Sequence, residues 1–315
     1  MGKLFENFLR FPIKTARRLA RISKRILLTF AIRIFISRGV GSSIPEYSLL
    51  HYYSNKYSQV GQDGILAEIF RRLGVTDSGL FVEFGAWDGV YLSNCRALFE
   101  IGWGGVYIEG DSQKFKSLVE NYSGTKIVCI NEFVGTGKED EGPLSQYRSL
   151  DKILSDYLDP DAIKSIDLLN IDIDGFDLEI AMSMNIQPKV ILIEGGTDLS
   201  PFAKAPFPGA GSNHQHPLGW IIEEIRRISY EPVCFNQDLY AIRSDLAGLV
   251  LPQAASLNAL DLYAQSFAFR GKRFRRYIMR LRALDSEIRD FEKKELGGFK
   301  INPLARNSRI ERQMD

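Results

Sequence analysis

Histidine and cysteine are scarce, with three of each in 315 residues. Cys95, Cys129 and Cys234 stand far apart and form no CxxC pair. That excludes a zinc ribbon or a disulfide framework and favours a reducing compartment. Cys129 falls inside the strand-like run KIVCI, where it reads as a small buried hydrophobe. No apolar run reaches the roughly 20 residues that cross a bilayer. The run ILLTFAIRIFI at 26–36 is interrupted by Arg33, and no small-residue cleavage site follows closely, so it does not read as a signal peptide. Internal repeats and low-complexity segments are missing, as is a G-x-G-x-x-G loop. No zinc finger or aromatic-interleaved module accompanies the basic residues, which argues against a nucleic-acid partner.

What is present is an ordinary globular composition with a sharp segregation of charge. Residues 1–40 carry ten Lys/Arg against one acid, Glu6, and residues 268–315 carry 14 against seven. The stretch between them carries 16 against 31. An acidic body between two basic ends predicts that the ends meet an anionic surface while the body does the chemistry. On a helix starting near Pro12, Lys14, Arg17, Arg18, Arg21, Lys24 and Arg25 share one face, with Leu19, Ile22 and Ile26 opposite. This is the pattern of a helix lying in a membrane interface. A helix packed on the protein's own body is the alternative. A second basic run, RGKRFRRYIMRLR at 270–282, falls in one or two expected helices spanning 254–296.

From residue 57 onward the pattern is regular. Helices are expected at 62–73, 92–101, 112–121, 150–158, 177–184 and 218–228. Strands are expected at 80–84, 106–110, 126–130, 168–172 and 190–195. EPVCF and LYAIR follow as two strands in close succession, read as an antiparallel edge hairpin. The alternation predicts a Rossmann-like, mostly parallel seven-stranded α/β sheet with helices on both faces. Basic helical extensions at 1–45 and 247–315 would flank a body at 46–246.

In such sheets ligands bind at the carboxyl ends of the strands. Several expected strands place polar residues there. FVEFGAWDG supplies Glu83, Gly85 and Gly89, and VYIEG ends in Glu109, 24 residues after Gly85. An acid at about that distance typically binds ribose hydroxyls. NIDIDG supplies Asp172 and Asp174, and VILIEGG supplies Glu194. The turn G-A-W-D-G lacks the paired glycines of a pyrophosphate cradle, which counts against NAD and fits a sulfonium nucleoside.

YSQVGQDGIL, FVEFGAWDG, GGVYIEGD, LLNIDIDGFD and VILIEGG occur in this order. Together they resemble the FkbM-like class I S-adenosylmethionine (SAM) methyltransferases over roughly residues 57–246. The resemblance implies a SAM-binding sheet and O-methylation, frequently of sugar hydroxyls. It implies that Glu83, Gly85 and Gly89 form the cofactor turn and that Glu109 takes the ribose. Asn131 and Glu132 would lie near the adenine, and Gln59 and Asp63 would close over the cofactor. Asp172 and Glu194 are placed like the metal carboxylates of some sugar O-methyltransferases, and such hard ligands suit Mg²⁺ or Mn²⁺. Gly195 stands where those enzymes often carry a second acid.

A sugar hydroxyl is a poor nucleophile and benefits from a base or a metal. His214 and His216, in GAGSNHQHPLG after the fifth strand, are the expected base, with Asp172 orienting the acceptor. The expected protein is a cytoplasmic enzyme on the inner face of the membrane that methylates a glycan or glycolipid. The alternative is a non-catalytic SAM-fold protein that binds a partner at the membrane. Homo-oligomerisation stays open.

Overall fold

The structure, a computed structural model, describes residues 44–137, 144–173, 175–196 and 216–269. The N-terminal basic helix, the basic run at 270–282, Asp174 and His214 lie outside the described residues.

A 3₁₀ turn at Leu49–Tyr52 precedes α1 (Gln62–Leu73), β1 (Leu80–Phe84), α2 (Arg96–Glu100), β2 (Gly104–Ile108), α3 (Ser112–Tyr122) and β3 (Val128–Ile130). Two short helices, α4 (Leu150–Tyr157) and α5 (Pro160–Lys164), lead to β4 (Leu168–Ile171), α6 (Asp177–Ser183) and β5 (Val190–Glu194). α7 (Leu218–Arg227), β6 (Tyr230–Phe235), β7 (Asp238–Arg243), α8 (Ser244–Val250) and α9 (Ala259–Phe269) complete the series.

The strands form one seven-stranded mixed sheet in the order β3-β2-β1-β4-β5-β7-β6. Pairs from β3 to β5 are parallel, and β7 runs antiparallel to both β5 and β6. Strands β1, β2, β4 and β5 are buried at consecutive positions, as expected where both faces of a parallel sheet are covered. The expected antiparallel edge hairpin is present, and its two strands take an order the sequence left open. The connection through α7 carries β6 one place beyond β5, and a two-residue link, Asn236 and Gln237, returns β7 into the gap. β6 is therefore the outer strand.

α1 shows how local sequence sets these elements. Ile65, Leu66, Ile69 and Phe70 recur at helical spacing and are buried. Glu68 takes salt bridges from Arg71 and Arg72, both at 2.7 Å. Gly74, at φ 72°, ends the helix in the left-handed conformation. The Asp159-Pro160 start of α5 is another cap signal, with the Asp159 carboxylate accepting from the N–H groups of Asp161 and Ala162.

The compact unit runs from Gly39 to Phe269. Residues 247–269, expected in the C-terminal extension, belong to it. α8 packs on α1 and β6, and α9 on α7 and β6, burying Ala247, Val250 and Leu262. Among the described residues no helix is long and apolar enough to cross a membrane.

Candidate active site

The chain leaves β1 toward β2 and β3 and later returns to build β4 and β5 on the other side. Strand order therefore reverses between β1 and β4, and a crevice forms outside their carboxyl ends. A cavity of about 650 Å³ lies there, lined from the ends of β1, β2, β4 and β5 and from the start of β7.

Glu83 is buried in β1 and lines this cavity. Its carboxylate accepts from Ser93 Oγ (2.8 Å), Asn94 N (3.2 Å) and Cys95 N (3.1 Å), so it fastens the segment leading into α2. Burial, only partly offset by these bonds, pushes its pKa up to about 7. Glu109 follows β2 and is also buried. Its Oε2 accepts from Trp87 N (2.7 Å) and its Oε1 from Asp111 N (2.8 Å). One carboxylate thus holds the turn after β1 against the turn after β2.

Gly85 lines the cavity at φ 75°, and a Cβ there would stand 1.9 Å from the Asp172 carbonyl oxygen. Its missing side chain lets the turn after β1 approach the end of β4. Gly89 closes the same turn at φ 70°, its N–H donating to the Ala86 carbonyl at 2.8 Å, but it is not among the lining residues, and a Cβ there would meet the Tyr122 and Leu118 side chains of α3. Trp87 adopts φ 53°, stays about half exposed at the cavity, and carries Lys114 Nζ at 4.2 Å from a ring centroid. Tyr91 meets the Trp87 ring edge-on at 5.8 Å.

The remaining expected residues divide. Gln59, Glu132, Asp172 and Glu194 all line the cavity. Glu132 pairs with Arg148 at 2.7 Å, and Glu194 takes a 3.3 Å hydrogen bond from Gln237 Nε2. Asp63 and Asn131 do not line it. Asp63 accepts from the N–H groups of Lys56 (2.6 Å), Tyr57 (2.8 Å) and Ser58 (3.2 Å), fixing the entry loop. Asn131 donates from Nδ2 to the Glu109 carbonyl at 2.7 Å, tying β3 to β2. His216 is buried away from the cavity lining, and its Nε2 stands 2.8 Å from Glu179 Oε1 on α6. No group of three or more His, Cys, Asp or Glu side chains able to hold a metal occurs among the described residues.

Asp177 organises the loop that presents Asp172. It is buried at the start of α6 and accepts from Ile173 N (3.1 Å) and Gly175 N (3.2 Å). Burial first, then the neighbouring Asp172 charge, pushes its carboxyl well above the usual range.

No family model and no curated protein matches this chain.

Six carboxylates among the described residues line the cavity, from Glu83, Glu109, Glu132, Asp172, Glu194 and Asp238, against one lysine, Lys114. Asp238 escaped the sequence reading because its place depends on β7 lying beside β5, where it pairs with Glu194. Asn94 and Lys114 were also missed, since a turn asparagine and a first-turn helix lysine carry no motif of their own.

Proposed function

We propose that the protein binds S-adenosylmethionine in this cavity and methylates a hydroxyl of a glycan or glycolipid. The observation that carries the reading is the acid-rich lining. With Glu83 half protonated near pH 7 and Glu132 paired with Arg148, the other four carboxylates still outnumber Lys114, so the lining repels a pyrophosphate and attracts a cation, which suits a sulfonium nucleoside bearing an ammonium group. The sheet points the same way: the antiparallel β7 between β5 and β6 departs from the 3-2-1-4-5-6 order of dinucleotide folds.

The donor set fits such a ligand. Glu109, already fixed by two backbone N–H groups, keeps acceptor capacity for a ribose diol. Ile108, Phe133 and Val134 supply an apolar wall for a base. When bound, the sulfonium supplies an electrophilic methyl group. Asp172, exposed at the end of β4, would orient the acceptor hydroxyl and take its proton as the carbon–oxygen bond forms and the methyl–sulfur bond breaks to leave a neutral thioether, then return the proton to solvent. The Trp87 and Tyr91 rings offer flat apolar surfaces on which the C–H face of a sugar can stack, beside carboxylates that accept from its hydroxyls. The basic segments at either end of the chain hold the enzyme on an anionic membrane surface.

Calorimetry with SAM, S-adenosylhomocysteine and NAD tests the ligand, and transfer of label from methyl-labelled SAM into glycan or glycolipid fractions tests the reaction. SAM binding with label transfer is the expected result. NAD binding without SAM binding would sink the reading, and SAM binding without transfer would leave a non-catalytic binding protein.

A further inference from the structure

Asn94 lines the cavity from the segment leading into α2 and is only 5 % exposed. Its backbone N–H donates to Glu83 Oε1, and its Nδ2 donates to Asn170 Oδ1 at 3.1 Å. Asn94 Oδ1 and Asn170 Nδ2 are then left buried without a hydrogen-bond partner. Turning both amides over exchanges the atoms but strands one polar atom on each side chain just the same. Native structures rarely leave such atoms unsatisfied, because each carries an uncompensated desolvation cost.

Only one of the two side chains can reach a ligand. Asn170 sits within β4 at 1 % exposure and is not part of the lining, whereas Asn94 is. Asn94 also stands beside Glu83, whose hydrogen-bond partners are one hydroxyl and two backbone N–H groups, with no cation among them. A ligand group that suits both residues donates hydrogen bonds and carries positive charge. A primary ammonium does both, and its donors select the amide orientation in which Oδ1 faces the cavity.

We propose that Asn94, with Glu83 beside it, recognises the amino group at the tail of the nucleoside ligand. This rests on the sulfonium-nucleoside reading above and adds a residue that fixes which tail is accepted. Asn170 holds the Asn94 amide in place from behind.

Calorimetry with two probes tests it: S-adenosylhomocysteine and its desamino analogue, which keeps the nucleoside, thioether and carboxylate. The wild-type chain should prefer S-adenosylhomocysteine by about tenfold, the scale of one charge-assisted hydrogen bond. Asn94→Leu, similar in volume but without an acceptor, should lose most of that preference, through affinity for the first probe alone, with Glu83 keeping the remainder. Asn94→Asp, which keeps an acceptor, should retain the preference. A leucine variant with the full wild-type preference overturns the proposal, as does a wild-type chain that does not discriminate. A wild-type chain that binds neither probe overturns the nucleoside reading itself and this inference with it. Should the leucine variant fail to melt cooperatively, Asn94→Ala is read in its place.

Discussion

At the ends of β1 and β2 the cavity's carboxylates are tied down by the backbone: Glu83 and Glu109 are buried and each accepts two main-chain N–H bonds. At the ends of β4 and β5 the arrangement differs. Asp172 is exposed, and Glu194 is partly buried and takes a side-chain hydrogen bond from Gln237. Groups fixed before a ligand arrives recognise shape at little ordering cost, while a solvent-exposed carboxylate can exchange a proton with water. Under the proposed function, nucleoside recognition falls to the first half and acceptor chemistry to the second.

The sharpest test of that division is Asp172→Asn. Removing the proposed base should lower kcat by about 10²–10⁴-fold while SAM affinity, measured by calorimetry, stays within about threefold of the wild type. An equal loss in binding would move Asp172 into the nucleoside half. Adding EDTA to the wild-type assay separates a second possibility. Turnover that collapses with chelator and returns with Mg²⁺ or Mn²⁺ would mean that Asp172 and Glu194 act through a metal.

Gly85→Ala breaks the seam where the two halves touch. The new Cβ would stand 1.9 Å from the Asp172 carbonyl oxygen, on a residue at φ 75°. Backbone cannot yield as a side-chain tip can, so strain and overlap together should cost roughly 4 kcal/mol in chemical denaturation. Gly89→Ala supplies the contrast, because its Cβ would meet the Tyr122 and Leu118 side chains, which can shift. A smaller loss for Gly85→Ala than for Gly89→Ala would mean that the seam is not rigid.

Glu83 should make stability depend on pH in a direction opposite to that of a salt-bridged acid. Its pKa is about 7 in the folded chain against an ordinary 4.5, so the folded state holds the proton more tightly. The contribution is fully present below pH 4.5 and is lost as pH rises through about 7. Between those limits, wild-type stability should fall by about 3 kcal/mol relative to Glu83→Gln. Denaturation curves that stay parallel for the two proteins from pH 5 to 8 would show that the buried carboxylate is ionised throughout.

Much of the body was legible in the sequence because local rules and the sheet agree. α1 falls on the expected 62–73, and β1 on 80–84, since helical spacing and an apolar run leave few alternatives. β2 was displaced: it runs from Gly104 to Ile108, so Glu109 follows the strand and its carboxylate can turn back to the loops. The cavity was half legible. Strand-end acids such as Glu109, Asp172 and Glu194 follow from topology, but which of them bond to backbone does not. Glu83 looked like a ligand contact and proves to fasten the approach to α2 as well. Asp63 and Asn131, which the resemblance put over the cofactor and near the adenine, bond within the fold, because a turn carboxylate or amide satisfies nearby main-chain groups as readily as a ligand. His216 was singled out for its residue type, yet burial beside Glu179 depends on α6 meeting the start of α7, a long-range contact that no local pattern encodes.

Glu109→Gln gives the smallest effect and the finest division between the halves. Glutamine keeps the shape but presents one acceptor oxygen, so it can serve the N–H of Trp87 or of Asp111, and the other donor loses its partner. Part of the cost therefore falls on the free protein, as a loss of about 1 kcal/mol in stability. The rest falls on the ligand, whose ribose hydroxyls exchange a charged acceptor for a neutral one, and SAM affinity should drop about tenfold, or about 1.4 kcal/mol. At saturating SAM, kcat should be close to wild type, since Glu109 acts before the acceptor hydroxyl is engaged. This mirrors Asp172→Asn, where kcat falls and affinity holds. If Glu109→Gln lowers kcat at saturation while leaving the dissociation constant unchanged, the β1–β2 half takes part in the chemical step and the assignment of the two halves is wrong.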